Sequence, residues 1–328
     1  MCCRQKLKAW RKNHDCQETL MALSVLLRRL VAAVALLVST AAATQTSPYV
    51  YVLGVGQDAS FPQAGCYEPR CLPAWEDMSL RQEPTAIAVI DRASDSSYLF
   101  EATPEFRDQL YRLQREAPFP LTGIFLTHAH IGHYTGLMHL GREAMGTQGV
   151  PVYAMPRMLE FLSSNGPWSQ LVSLGNIDLR RLEHDTPIRL NELSVIPFLV
   201  PHRDEYSETV GYRIEGPNRT ALFIPDINKW EDWEVSIVEV LETVDYALID
   251  ASFFADGELG NRDMSQIPHP FVSETMALFA QSSAEVRNKI WFIHMNQSNP
   301  LLDPDSDASR LVQNRGFNVA REGIRLPL

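Results

Sequence analysis

The sequence predicts an α+β fold with two β-sheets sandwiched between helices. Three observations lead there. Strand-like segments rich in β-branched and aromatic residues recur in both halves of the chain, segments of helical period lie between them, and polar residues stand at several strand ends.

Taken in order, "YVYVLGVGQ" (49–57) reads as a strand running into a glycine turn, and "TAIAVID" (85–91) and "SYLFEA" (97–102) as two more strands. "PEFRDQLYRLQRE" (104–116) places Phe106, Leu110 and Leu113 at helical spacing. "TGIFLTH" (122–128) is a strand that ends in a histidine run, and "TGLMHLGREAM" (135–145) reads as a helix. The second half repeats the order. "VPVYAM" is a strand and "PRMLEFLSS" a helix, followed by strands at 193–202, 209–216, 220–226 and 244–253. A helix at 270–281 and a last strand, "NKIWFIH" (288–294), complete it, with no low-complexity linker or short-period repeat.

Composition is that of an ordinary globular chain, 45% hydrophobic and 21% charged over 328 residues. The net charge of −11 argues against a nucleic-acid binder, which needs a basic face. Charge is unevenly spread. The first 43 residues hold seven Lys/Arg against Asp15 and Glu18, a net +5 that leaves −16 on the remainder. Within this stretch Arg28 and Arg29 precede an apolar run from Leu30 to Val38, and small residues follow through Ala43. That is the order of a secretory signal cleaved near Ala43, with Met21 as an alternative start. The expected division is a leader at 1–43 and one domain at 44–328. The apolar run is too short to span a bilayer comfortably, so the expected destination is the periplasm or the medium, with an N-terminal membrane anchor as the alternative.

Removal of the leader would leave Cys66 and Cys71, in "GCYEPRC". In an oxidising compartment two cysteines closing a short loop most simply form a disulfide; a zinc site, which needs further ligands, and free thiols are the alternatives.

"FLTHAHIGHYTG" (125–136) carries the chemistry. A lone histidine is usually a satisfied polar or core residue. Three in six positions at a strand–helix junction point to metal binding: His128 and His130, two apart, face one ion from an extended or turning chain, and His133, after a turn, faces a neighbouring one. His202 ("LVPHRDE"), Asp226 ("LFIPDIN") and His294 ("WFIHMNQSNP") each follow an apolar run that buries the strand and leaves a polar tip.

H-x-H-x-x-H followed by a strand-end His, a strand-end Asp and a final His resembles the metallo-β-lactamase superfamily. The resemblance implies an αββα sandwich of two mixed sheets flanked by helices. It also implies one metal held by His128, His130 and His202, a second held by His133 and His294, and Asp226 bridging them. "YVLGVGQDASFPQAGC", "LFEATPEFRDQL", "FPLTGIFLTHAHIGHYTGL" and "IHMNQSNP" look like the PqqB-like subgroup of pyrroloquinoline quinone biosynthesis, from which the export signal and the three motif histidines depart. His269 lies in the stretch between the bridging Asp and the last ligand where, by the resemblance, related phosphodiesterases such as RNase Z carry a histidine that assists proton transfer; a loop histidine between Pro268 and Pro270 is the alternative. Asp250, ending "YALID", is a second catalytic candidate or a partner orienting a ligand histidine.

The function these features imply is a metal-dependent hydrolase that uses one or two Zn²⁺, with Mn²⁺ or Fe²⁺ as alternatives. Its substrate would be a small-molecule ester, lactone, lactam or phosphodiester. A PqqB-like iron-dependent oxidative enzyme and a non-catalytic metal-binding relative are the alternatives. One position breaks the pattern. Gly132 stands where hydrolases of this superfamily usually carry an aspartate ligand of the second metal. The expectation is a weaker second site, left with His133, His294 and the shared Asp226, and a base drawn from elsewhere, such as Asp250 or His269.

Overall fold

The computed structural model describes residues 47–260 and 262–328. The leader and its expected cleavage point near Ala43 lie outside the described residues. The unit Pro48–Leu328 holds the fold. In chain order its strands are β1 Tyr49–Gly54, β2 Ala86–Asp91, β3 Ser96–Phe100, β4 Leu121–Phe125, β5 Val150–Ala154, β6 Ile177–Arg181 and β7 Ile188–Leu190. Then come β8 Leu193–Leu199, β9 Val210–Glu215, β10 Thr220–Ile224, β11 Tyr246–Asp250, β12 Ile290–Ile293, β13 Asn318–Val319 and β14 Arg325–Pro327. They form two seven-stranded sheets, β14-β1-β2-β3-β4-β5-β6 and β13-β12-β11-β10-β9-β8-β7. Both are mixed, as expected. The final strand crosses back to pair antiparallel with β1.

β1 is buried along its whole length because both of its faces are covered. Val50 and Val52 point into the core between the sheets, with Phe100, Phe125, Tyr212 and Phe223. Tyr49, Tyr51 and Leu53 point the other way, onto Phe106 and Leu113 of the helix Phe106–Glu116. Phe125 stacks between Phe100 and Tyr153, ring centroids 4.9 and 4.4 Å away, while Tyr212 of the second sheet meets Phe100 edge-on at 5.2 Å. The helix Val272–Leu278 brings Met276, and the helix Asp307–Asn314 brings Val312, to the apolar cluster of the second sheet.

Strand direction positions the site. β1 and β3 both run antiparallel to β2, and β4 runs parallel to β3, so β1, β3 and β4 share one direction. β8 and β10 both run antiparallel to β9, and β11 and β12 run parallel to β10. Loops after the carboxyl ends of all these strands therefore gather along the sheet edges where α/β proteins build sites. The expected helix at 135–145 is instead a helical turn, Ile131–Tyr134, running into a 3₁₀ segment, Thr135–Leu140, and then turns. Gly136 lies hard against the chain before the helix Phe106–Glu116: an added Cβ would stand 2.6 Å from the Phe106 Cβ. A bend at Gly141 and a turn over 142–145 then end the segment early.

Candidate metal centre

The histidine run leaves β4 at Phe125 and is tied at once to the opposite sheet. Tyr212 OH donates to the Leu126 carbonyl, and the Val210 amide to the Thr127 carbonyl at 3.2 Å. This fixes an extended stretch through His130, whose carbonyl accepts from the His133 amide at 3.0 Å to start the helical turn. His128 becomes the hub: its ring centroid is 4.4 Å from that of His130 and 4.2 Å from that of His133. His128 Nε2 lies 2.8 Å from His130 Nδ1. Asp226 Oδ2 lies 3.1 Å from His202 Nε2, 3.4 Å from His128 Nε2 and 3.8 Å from His133 Nε2. Ligating atoms of His128, His130, His202 and Asp226 all fall within 4.8 Å of one another.

A second cluster joins His133 and His294, as expected, with a carboxylate that was not: Asp58, from the loop after β1. His133 Nε2 stands 3.3 Å from Asp58 Oδ1. Backbone geometry is unusual here. Asp58, Glu101 and His294 have φ of 35°, 84° and 67°, conformations that non-glycine residues rarely hold and that concentrate at functional sites.

Four of the five ligand imidazoles, all but His202, have a polar side chain within 3.4 Å of the nitrogen that faces away from the cluster. Thr127 Oγ1 lies 2.9 Å from His128 Nδ1, Glu205 Oε2 3.0 Å from His130 Nε2, and Ser252 Oγ 3.0 Å from His294 Nδ1. Glu101 Oε1 is 3.4 Å from His133 Nδ1. Asp250, fully buried at the end of β11, accepts from the Ile227 amide at 3.2 Å and from the Ser252 amide and hydroxyl at 2.8 Å each. It also lies 2.8 Å from His269 Nδ1, whose other carboxylate neighbour is Asp226 Oδ1 at 3.1 Å. So Asp250 reaches His294 through Ser252 and His269 directly. Sequence reasoning missed Asp58, Glu101 and Ser252, although "GVGQDAS" and "LIDASF" contain two of them.

Electrostatics follow from burial. Burial holds His128 well below its usual range, and His130 below it, so both stay neutral, the form that binds a metal. Burial would raise Asp226, but His202 and His269 outweigh it and hold the carboxyl well below its usual range. Burial also opposes protonation of His269, yet Asp250 and Asp226 push it up to about 10. His133 is raised too, since Glu101 and Asp58 overcome its burial.

These residues fit a divalent cation. His133 and His202 leave both ring nitrogens without a hydrogen bond, and His294 Nε2, Asp226 Oδ1 and Asp58 Oδ1 are likewise unsatisfied and buried. Unmet buried groups cost about 1–3 kcal/mol each. Several converging on two points are accounted for by ions with nitrogen and oxygen ligands.

Comparison with known proteins identifies the family and the fold. A profile of the Beta-lactamase superfamily domain matches residues 97–295. The coenzyme PQQ synthesis protein B of Xanthomonas campestris pv. campestris (strain B100) is 26% identical over 308 residues, 85% of this chain and 99% of the relative. The protein of that name from Methylobacterium sp. (strain 4-46) is 25% identical over 304 residues, 84% of this chain and 99% of the relative. Zinc-bound PqqB from Methylobacterium extorquens superposes with a TM-score of 0.72 at 23% identity, covering 85% of this chain and 100% of that one. A diphosphatase from the PhnP family superposes at 0.59 with 21% identity, covering 86% and 97%. At such identities the structural likenesses show the fold.

Proposed function

The chain belongs to the β-lactamase superfamily and has its metallo-β-lactamase fold, and from that premise we propose that it is a metal-dependent hydrolase of small molecules. The observation that carries this reading is the convergence of buried, unpaired ligand atoms around Asp226. His128, His130, His202 and Asp226 would hold the ion, with zinc the expected metal. When bound, a divalent ion supplies Lewis-acid polarisation of the substrate oxygen and a nucleophile from water at neutral pH.

The chain's own residues do the rest. Thr127 and Glu205 fix which nitrogens of His128 and His130 face the ion. His269 holds a proton: its Nδ1 sits between the Asp226 and Asp250 carboxylates. The proton on its remaining nitrogen, Nε2, is the one we assign to a departing oxygen. Beside His202 a cavity of about 560 Å³ is lined by Asp204, Glu208, Asp232 and Glu234 together with Trp233. For a substrate that enters beside His202, these carboxylates, of which Asp204 is paired with Arg157, disfavour a polyanion.

Similarity to PqqB along almost the whole length of those relatives supports a second reading, an iron-dependent oxidative enzyme on the same ligands. Metal analysis of the purified protein, with a panel of ester, lactone and phosphodiester substrates, separates the two. Zinc or manganese, with turnover lost on chelation and restored by Zn²⁺, is the expected outcome. Iron with oxygen-dependent turnover would favour the second reading, and metal without turnover a binding role. Export is part of the proposal. The Cys66–Cys71 disulfide suits an oxidising compartment, and an N-terminus just after Ala43 on protein recovered from the periplasm or medium would establish it. An intact leader on cytosolic protein would overturn it.

A further inference from the structure

Gly132 and Asp58 are complementary in space. Gly132 opens a helical turn and does not have a positive φ, so its backbone does not demand glycine. What demands it is Asp58. A Cβ added at Gly132 would stand 2.8 Å from the Asp58 Cβ, and closer still to its Cα and Oδ1. Contact that close to backbone excludes any side chain at position 132 while Asp58 keeps its place. The Asp58 carboxylate therefore occupies the volume into which a residue-132 side chain would project.

From this we infer that Asp58 is the carboxylate ligand of a second metal ion, supplied from the loop after β1 in place of the residue missing at 132. The inference rests on the metal reading above. Three further observations bear on it. Asp58 Oδ1 is buried and unsatisfied, as are His133 Nε2 and His294 Nε2, and these residues form one cluster. The chain carrying Asp58 is stitched to the chain carrying His294. The Met295 amide donates to the Val55 carbonyl and the Gln57 amide to the Met295 carbonyl, both at 2.8 Å, and Asn296 Nδ2 donates to Gln57 Oε1 at 2.6 Å. Lastly, His294 Nδ1 is held by Ser252, which leaves Nε2 as its ligating atom. On this inference the second site has its own carboxylate and two imidazoles, one carboxylate more than the motif alone supplies.

The test is a titration of the metal-free full chain with Zn²⁺, with Co²⁺ absorption as a second readout. Wild type should take up two ions. Asp58→Ala should keep one and weaken the other by about 100-fold or more, the upper end of the loss caused by removing even a supporting partner. Asp58→Asn, close in shape, guards against misfolding and should weaken the second ion by about tenfold or more. The decisive variant combines Asp58→Gly with Gly132→Asp: moving the carboxylate back should restore the second ion, which a merely structural role for Asp58 does not explain. Unchanged second-ion affinity in Asp58→Ala or Asp58→Asn overturns the inference, as does a folded double variant without rescue or a wild type that takes up no second ion. Two ions without hydrolysis would uphold Asp58 and sink only the hydrolase reading.

Discussion

The two ligand clusters meet where Asp226 of the first comes within 3.8 Å of His133 of the second, yet they are assembled by different means. In the first, each ligand follows an apolar strand: His128 after β4, His202 after β8, Asp226 after β10. In the second, His294 directly follows β12 and His133 sits in the helical turn Ile131–Tyr134, but Asp58 comes from a glycine-rich turn after β1 and fits only because Gly132 leaves it room. One cluster is written in a motif. The other is completed by volume complementarity between segments far apart in sequence. A gap in a motif is thus weak evidence of a missing ligand when a neighbouring loop runs through the vacated space.

The largest expected effect tests where the clusters meet. Asp226 approaches His128, His202 and His133. Asp226→Ala should therefore release both ions and lower kcat/KM by about 10³-fold or more, corresponding to about 4 kcal/mol of lost transition-state stabilisation. Metal content after gel filtration and initial rates with the best substrate measure it. If one ion stays at full occupancy, the clusters are independent and Asp226 serves only one of them.

A middle-sized effect separates them. Thr127 supports His128 of the first cluster, and Ser252 supports His294 of the second while its hydroxyl donates to Asp250 and lies 3.3 Å from His269 Nδ1. Thr127→Ala should weaken the first ion, and Ser252→Ala the second, each by about 10- to 100-fold, with little effect on the other. Competition against a coloured chelator resolves the two affinities. Equal loss at both ions in either variant would show that the supports act through general destabilisation.

What the sequence makes legible follows the same divide. Strands and the histidine run are readable because burial imposes long apolar segments, as in "TALFI" before Asp226 and "IWFI" before His294. The αββα order and the six metal candidates, His128, His130, His133, His202, Asp226 and His294, come from those segments, and the structure brings them together. Asp58, Glu101 and Ser252 have no periodic signal. Their roles depend on strand direction: β1 shares its direction with β3 and β4, so the turn after it arrives beside His133. The short strands β13 and β14 fall below the length at which a pattern of two shows, and β14 joins β1 only through the return of the chain's end.

The smallest effect asks whether the second cluster depends on the outer neighbour of β1. β14 is clamped by Arg325, which donates to Glu116 through Nε at 2.8 Å and through its terminal nitrogen at 2.5 Å, while Tyr49 OH donates to the same carboxylate at 2.6 Å. Arg325's hydrogen bonds hold the Glu116 carboxyl below its usual range against the upward push of burial. A depressed carboxyl stabilises the fold above its unfolded pKa of about 4.3, and that contribution is lost as pH falls through the lower folded value. Because Arg325 is 60% exposed, solvent screening limits the contribution. Glu116→Gln should cost about 1 kcal/mol at neutral pH, a fall in Tm of about 2–4 °C, and the gap from wild type should close under acid conditions. Both ion affinities should stay at wild-type values, since Asp58 is placed by the Val55, Gln57 and Met295 backbone bonds rather than by β14. Thermal melts across pH, paired with the Zn²⁺ titration, measure both quantities. A selective loss of the second ion in Glu116→Gln would mean that the clamp on β1, and not the stitch to Met295, holds Asp58 in place.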